Sequence, residues 1–211
     1  MSSVQIGALS VGAVVGMEAG DVGALGSAQV LGLKTQQIAV LGGGQLGALA
    51  TEAFRALSSV QISAISSTAV SSLTTEQFAA LRSTQVSGLT TRQVAGVTPD
   101  QLAVIGTSTL RVMSSNQIRA LGSEQIAALT TLQVRGLSPQ QFSGFGTGSI
   151  GGFETEDIRV LSSAQLGALT TLQVSVLRQD QIGAVSVDSV RGLTALQVTA
   201  LTTENIKGLG G

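Results

Sequence analysis

Apolar side chains recur along the chain at two fixed places in every eight residues. The octads Leu73-Thr-Thr-Glu-Gln-Phe-Ala-Ala80, Leu81-Arg-Ser-Thr-Gln-Val-Ser-Gly88 and Leu89-Thr-Thr-Arg-Gln-Val-Ala-Gly96 show the frame, which runs unbroken over residues 1–208 as 26 octads. Positions one and six are always Leu, Ile, Val, Met or Phe, and position eight is always Ala, Gly, Val or Ser. Every Phe (54, 78, 142, 145, 153) and every Met (1, 17, 113) falls at position one or six. A continuous α-helix does not fit, because eight residues at about 100° each leave ~80° of drift per octad and no stripe stays on one face. A strand does not fit either, since positions one and six have opposite parity. The pattern predicts a chain of very short helices, one per octad.

Capping chemistry supports that reading. Thr or Ser fills position two in Thr74, Thr90, Thr98, Ser114, Thr130, Ser138, Ser162 and Thr170, as an N-cap should. Pro99 and Pro139 both stand at position three, the first helical residue, where a missing N–H costs nothing. Position five is usually Gln, so Thr74/Gln77 and Thr130/Gln133 have capping-box spacing, and Leu73/Phe78 and Leu129/Val134 are placed as hydrophobic staples. Acids at position four (Glu52, Glu76, Asp100, Glu124, Glu156, Asp180, Asp188, Glu204) face one base, Arg92. Position seven holds Arg55, Arg111, Arg119, Arg135, Arg159, Arg191 and Lys207 and no acid. Acid early and base late is what a helix dipole favours. Glu52/Arg55, Glu156/Arg159, Asp188/Arg191 and Glu204/Lys207 are expected to pair at i,i+3. Each octad thus reads as a cap, about six helical residues and a turn.

A longer period overlies the octads. Leu89-Thr-Thr-Arg-Gln-Val, Leu129-Thr-Thr-Leu-Gln-Val and Leu169-Thr-Thr-Leu-Gln-Val are spaced by 40, as are Pro99 and Pro139. The octads starting at Ile65, Ile105, Phe145 and Val185 lack both Leu at position one and Gln at position five. Five octads therefore make one unit, giving 9–48, 49–88, 89–128, 129–168 and 169–208. Helices this short are marginal alone and must stack to persist. The expected fold is all-α, a repeat solenoid or superhelix of octad helices with a forty-residue higher-order repeat, continuous over 1–211. Two geometries remain open for its coil. Five sides of about 11–12 Å would form a pentagon around one apolar layer, given helix spacings near 8–10 Å. Four sides would make the forty-residue period a duplication unit instead of a coil, and three sides are expected to be too tight.

Composition narrows function by exclusion. The chain has no Cys, His, Trp or Tyr, 27 Gly, 11% charged residues and a net charge of −1. Without Cys there is no disulfide framework, thiol nucleophile or Cys-ligated zinc. Without His the usual general base and transition-metal ligand are missing, so the abundant Ser and Thr hydroxyls lack an activating base. No basic footprint or stacking platform points to nucleic acid. No basic segment followed by an apolar run suggests a cleavable secretion signal, and no apolar stretch suggests a membrane span.

Three motifs stand out from the repeat itself. Gly42-Gly-Gly-Gln-Leu-Gly47 and Gly146-Thr-Gly-Ser-Ile-Gly151 match the phosphate-loop pattern, but in a chain this rich in Gly roughly 0.4 matches arise by chance, and neither follows a strand. Glu154, Glu156 and Asp157 could hold a hard cation, yet cap and first-turn positions already account for all three. Gly208-Leu-Gly-Gly211 reads as a helix terminator or a truncation scar. No catalytic, cofactor-binding or metal-binding residue is therefore assigned, and no enzyme activity is expected.

Two resemblances bear on function. Val97-Thr-Pro-Asp-Gln-Leu-Ala-Val-Ile105 resembles the first helix of transcription-activator-like effector repeats, without a 34-residue unit, a base-reading pair or a basic groove. Across essentially the whole chain, best over Leu73 to Gly96 and Leu121 to Gly136, the sequence resembles bacterial tandem repeats of the Leu-Thr-Thr-x-Gln-Val-x-Ala-Leu type. Such repeats occur in large proteins labelled haemagglutinin-like, adhesin-like or haem-utilisation, which implies a surface or secreted location, with the cytoplasm as the alternative. The haem label has no axial ligand here. The resemblance and the solenoid together imply a non-enzymatic structural protein that associates with itself as a filament or surface assembly. The alternative is a scaffold that binds another protein or a peptide, as an adhesin-like or effector-like module.

Overall fold

A computed structural model describes residues 1–210. Each octad contributes one helical element, and among the described residues there is no strand. Twenty-four α-helices of four to six residues follow one another, from Ser3–Gly7 to Thr203–Ile206, covering 61% of the chain together with 3₁₀ turns. The octads at 65–72 and 145–152 form only the 3₁₀ turns Val70–Ser72 and Ile150–Gly152. A further 3₁₀ turn, Lys207–Gly210, falls where the C-terminal glycines were read as a terminator, and Gly211 of that reading lies outside the described residues.

The helices begin as the sequence requires. Ser58 is extended (φ −72°, ψ 161°) and caps the helix Ser59–Ala64. Its Oγ accepts the Gln61 N–H at 3.2 Å, while Gln61 Oε1 accepts the Ser58 N–H at 2.9 Å. Where position two is Arg82, Lys34 or Gly122 the first half of this box is lost, yet the Gln still returns to the cap N–H at 2.7–2.9 Å. The ends are less expected. Position eight stays right-handed, as at Ala80 (φ −82°, ψ −5°), and no described residue has a positive φ. The many glycines therefore do not serve as left-handed caps.

The chain forms two compact units, Met1–Val112 and Met113–Gly211, divided at an octad junction. In both, helices stack on those three octads away. In the first unit Ser3–Gly7 packs on Ser27–Val30, which packs on Thr51–Ala56. In the second, Ser163–Gly167 packs on Val187–Val190. Side-chain to backbone bonds between coils span 28 and 31 residues, as from Gln61 to the carbonyls of Leu33 and Val30. A coil thus closes in about 28 residues, three and a half octads.

This corrects the five-sided coil. The forty-residue period belongs to the sequence and is not one coil. A flat polygon must fit all its inward side chains at one height, and for that reason needs five sides. A rising coil staggers the two apolar side chains of each octad along the axis, so fewer sides suffice. Close approach does the rest. A Cβ on Gly7 would sit 2.7 Å from the Gly32 carbonyl oxygen, and one on Gly23 would sit 2.9 Å from that of Ala48. Small residues at positions seven and eight let successive coils touch backbone to backbone.

The core is the stack of positions one and six. Position-six side chains from Ile6 to Leu110 and from Ile118 to Ile182 are all buried. Phe142, Phe145 and Phe153 form a ring cluster with centroids 5.0–5.8 Å apart. Charges remain outside, with one exception, Asp157. Of the four expected i,i+3 pairs, Lys207–Glu204 closes at 3.0 Å. The other ion pair among the described residues, Arg178–Asp180 at 3.0 Å, was not foreseen.

Candidate functional surfaces

The most regular polar feature is a ladder of buried glutamines at position five. Gln173 is typical. Its Oε1 accepts the Thr170 N–H at 2.6 Å, closing its own capping box, and its Nε2 donates to the carbonyls of Phe142 at 2.9 Å and Phe145 at 2.7 Å, one coil back. Gln93 does the same with Thr90, Ile62 and Ile65. Sequence reasoning found the first role and missed the second. The signal was present: glutamate serves a capping box as well as glutamine, yet no Glu occupies position five in any octad. A carboxylate there could not donate to a carbonyl.

Position five also holds the shorter polar residues Asp21, Thr109, Ser149, Asp157, Ser189 and Asn205. Ser189 still donates its hydroxyl to the carbonyl of Leu161, 28 residues back. Asn205 Nδ2 stands 3.4 Å from the carbonyls of Val174 and Leu177, and its buried Oδ1 has no partner. Asp157 is 2% exposed, and its Oδ2 accepts the Glu154 N–H at 3.2 Å. Burial, with the nearby carboxylates of Glu154 and Glu156 adding to it, pushes its carboxyl up to about 6.

The three acids at 154–157 do not converge: Glu154 and Glu156 are exposed while Asp157 is buried. Among the described residues no group of three or more His, Cys, Asp or Glu is arranged to hold a metal ion. The two glycine patterns are absorbed by the repeat, Gly42–Gly47 around the helix Gly43–Gly47 and Gly146–Gly151 into the 3₁₀ octad. No helix among the described residues is long and apolar enough to cross a membrane.

Two kinds of surface remain for function. The first is apolar surface at core positions. In the first unit an apolar cup of about 400 Å³ is lined by Met1, Leu9, Met17 and Leu25 with Asp21 and Gln29. In the second, the position-six side chains Val198 and Ile206 are 47% and 45% exposed. The second is the outer face, where the position-four side chains Leu132, Leu172 and Leu196 are exposed beside position-seven residues such as Arg135.

The model of the ALTTAQ repeat matches the chain at residues 14–51, 50–83, 94–131, 102–139 and 150–187, which together cover well over half of it. No curated protein matches the chain at a significant level.

Proposed function

The chain belongs to the ALTTAQ repeat family, and from that premise we propose that it is a non-enzymatic structural protein whose coils also stack between copies. The carrying observation is apolar surface left open at core positions in both units. Val198 and Ile206 stand open in the second, and the cup of Met1, Leu9, Met17 and Leu25 is open in the first. Inside the chain, side chains of the same two positions meet and are buried. A contact of unlike surfaces is heterologous and propagates as a filament instead of closing as a dimer. The surface or extracellular setting rests on the resemblance of the Leu-Thr-Thr-x-Gln-Val octads to repeats of surface-labelled bacterial proteins.

Light scattering from micromolar to near-millimolar protein tests this. The mass should rise in steps of 21.2 kDa, and Val198→Asp with Ile206→Asp should hold the protein at one step with its helical signal intact. A monomer throughout the range refutes self-association. A second reading, a scaffold for a protein or peptide partner, draws on the exposed Leu132, Leu172 and Leu196. It expects Arg111→Ala, Arg119→Ala, Arg135→Ala and Arg159→Ala to abolish partner capture without affecting assembly.

A further inference from the structure

We infer that Asp157 is a proton-dependent tie between coils of the second unit: as a neutral acid it donates where glutamine donates elsewhere, and as a carboxylate it leaves the joint untied. The register fixes what it faces. Ties from position five run to the carbonyls 28 and 31 residues back, as Gln165 runs to Leu137 and Val134, and Gln173 to Phe145 and Phe142. For Asp157 those carbonyls belong to Leu129 and Ile126. A carboxylate offers them only acceptor oxygens, whereas a carboxylic acid offers one O–H.

The short side chain is no obstacle. The Ser189 hydroxyl, shorter than an Asp carboxyl, reaches the carbonyl of Leu161 at the 28-residue spacing. Asn205, the same length as Asp, directs its amide at both carbonyls. An O–H on Asp157 therefore has Leu129 as its acceptor. The preceding octad makes this joint depend on that single group: the Ser149 hydroxyl turns back to Gly146 in its own octad and ties nothing. Residues 145–160 thus contain two consecutive octads without an amide tie.

The charged surroundings favour the neutral form. Its own helix, Thr155–Arg159, brings Glu156 and Arg159, with Glu154 at the cap. The helix Thr131–Gly136 packed against it carries Arg135, and Ser123–Ala127, by register below, carries Glu124. The packed helix Gln179–Gly183 carries Asp180, to which the adjoining Arg178 is committed at 3.0 Å. Among the described residues no ion pair includes Asp157. Its carboxyl, raised from an ordinary value near 3.8 to about 6, contributes stability that is complete below pH 3.8 and lost as pH rises through 6.

Amide hydrogen exchange of the full chain, read as protection factors from pH 4 to 7.5, tests the tie. Protection over residues 153–161 should fall about 100-fold across that range and level off above pH 6. Residues 169–176, tied through Gln173, should show no matching slope. Asp157→Asn should abolish the slope, and Asp157→Gln, which restores the residue of the other octads, serves as a second variant if the asparagine protein does not fold. No slope in the wild-type protein, or the same slope in either variant, overturns the inference.

Discussion

Replacing Gln173 with Leu separates the two roles of the position-five glutamine. Leucine keeps the volume of this fully buried side chain and removes three hydrogen bonds, from Thr170 N–H to Oε1 at 2.6 Å and from Nε2 to Phe142 and Phe145 at 2.9 and 2.7 Å. The Phe142 carbonyl retains the Phe145 N–H at 3.3 Å, so its loss is an ordinary bond of about 1 kcal/mol. The Thr170 N–H and the Phe145 carbonyl lose their side-chain partner and cost about 1–3 kcal/mol each if left dry. Against this, an apolar side chain in the same space gains about 1 kcal/mol. The net loss is about 2–6 kcal/mol. Thr170→Ala removes only the cap bond from Gln173 N–H at 3.1 Å and should cost about 1 kcal/mol. Urea unfolding followed by circular dichroism gives the first comparison, and hydrogen exchange at residues 142–145 localises the damage. If Gln173→Leu costs no more than Thr170→Ala, the bonds between coils contribute nothing and the ladder is only a row of caps.

Other expectations use the same geometry. Val134→Asp or Leu129→Asp should cost several kcal/mol, because both side chains are buried and a lone carboxylate there has no partner, whereas Leu132→Ser and Arg135→Ser on the exposed face should stay within about 0.5 kcal/mol in the same unfolding assay. Gly192→Ala would push a Cβ into the carbonyl of Ser163 and should cost about 1–3 kcal/mol, while Gly148→Ala, with no atom within 4 Å of its Cβ, should be neutral or slightly stabilising. Gln173→Glu should weaken the protein at pH 7 and recover as pH falls, since burial raises the carboxyl and only its neutral form can donate to Phe142 or Phe145. Circular dichroism should show a helical spectrum that is lost cooperatively on heating, because stacking and not propensity holds helices of four to six residues.

What was readable in the sequence was local. Thr74 and Gln77, or Ser138 and Pro139, announce a helix start within one turn, and the alternation of Leu129 and Val134 with Leu132 and Arg135 sets inside from outside. Each of these depends on residues fewer than eight apart. The number of octads per coil was not readable, because it depends on the corner between a right-handed position eight and an extended position two, summed over three or four corners. A few degrees per corner change the count. The role of Gly7, Gly23 and Gly192 is illegible in the sequence for a related reason. In an isolated octad a late glycine looks like a terminator, and only the neighbouring coil 25 to 29 residues away shows that it serves close approach. Asp157 was noticed for its charge among neighbouring acids, when its position in the octad was the informative property.

The mismatch between the two periods protects the stack. Octads that lack both leucine at position one and glutamine at position five recur at 65, 105, 145 and 185, and they form the short elements Val70–Ser72, Thr107–Leu110, Ile150–Gly152 and Val187–Val190. Their position-five residues are Ala69, Thr109, Ser149 and Ser189, so no amide ties these octads to the coil below. Within each unit two of these octads are 40 residues apart, 12 more than the 28-residue coil spacing, so one is displaced from the other by an octad and a half. Two of the four are held from above by glutamines. Gln93 and Gln101 bond to Ile65 and Val70 in one, and Gln173 and Gln181 bond to Phe145 and Gly151 in another. A repeat unit of seven octads would equal two coils and would set such octads in register, opening a continuous seam. Five octads do not divide into the coil, and the octads at 65, 105, 145 and 185 are kept out of register by that arithmetic.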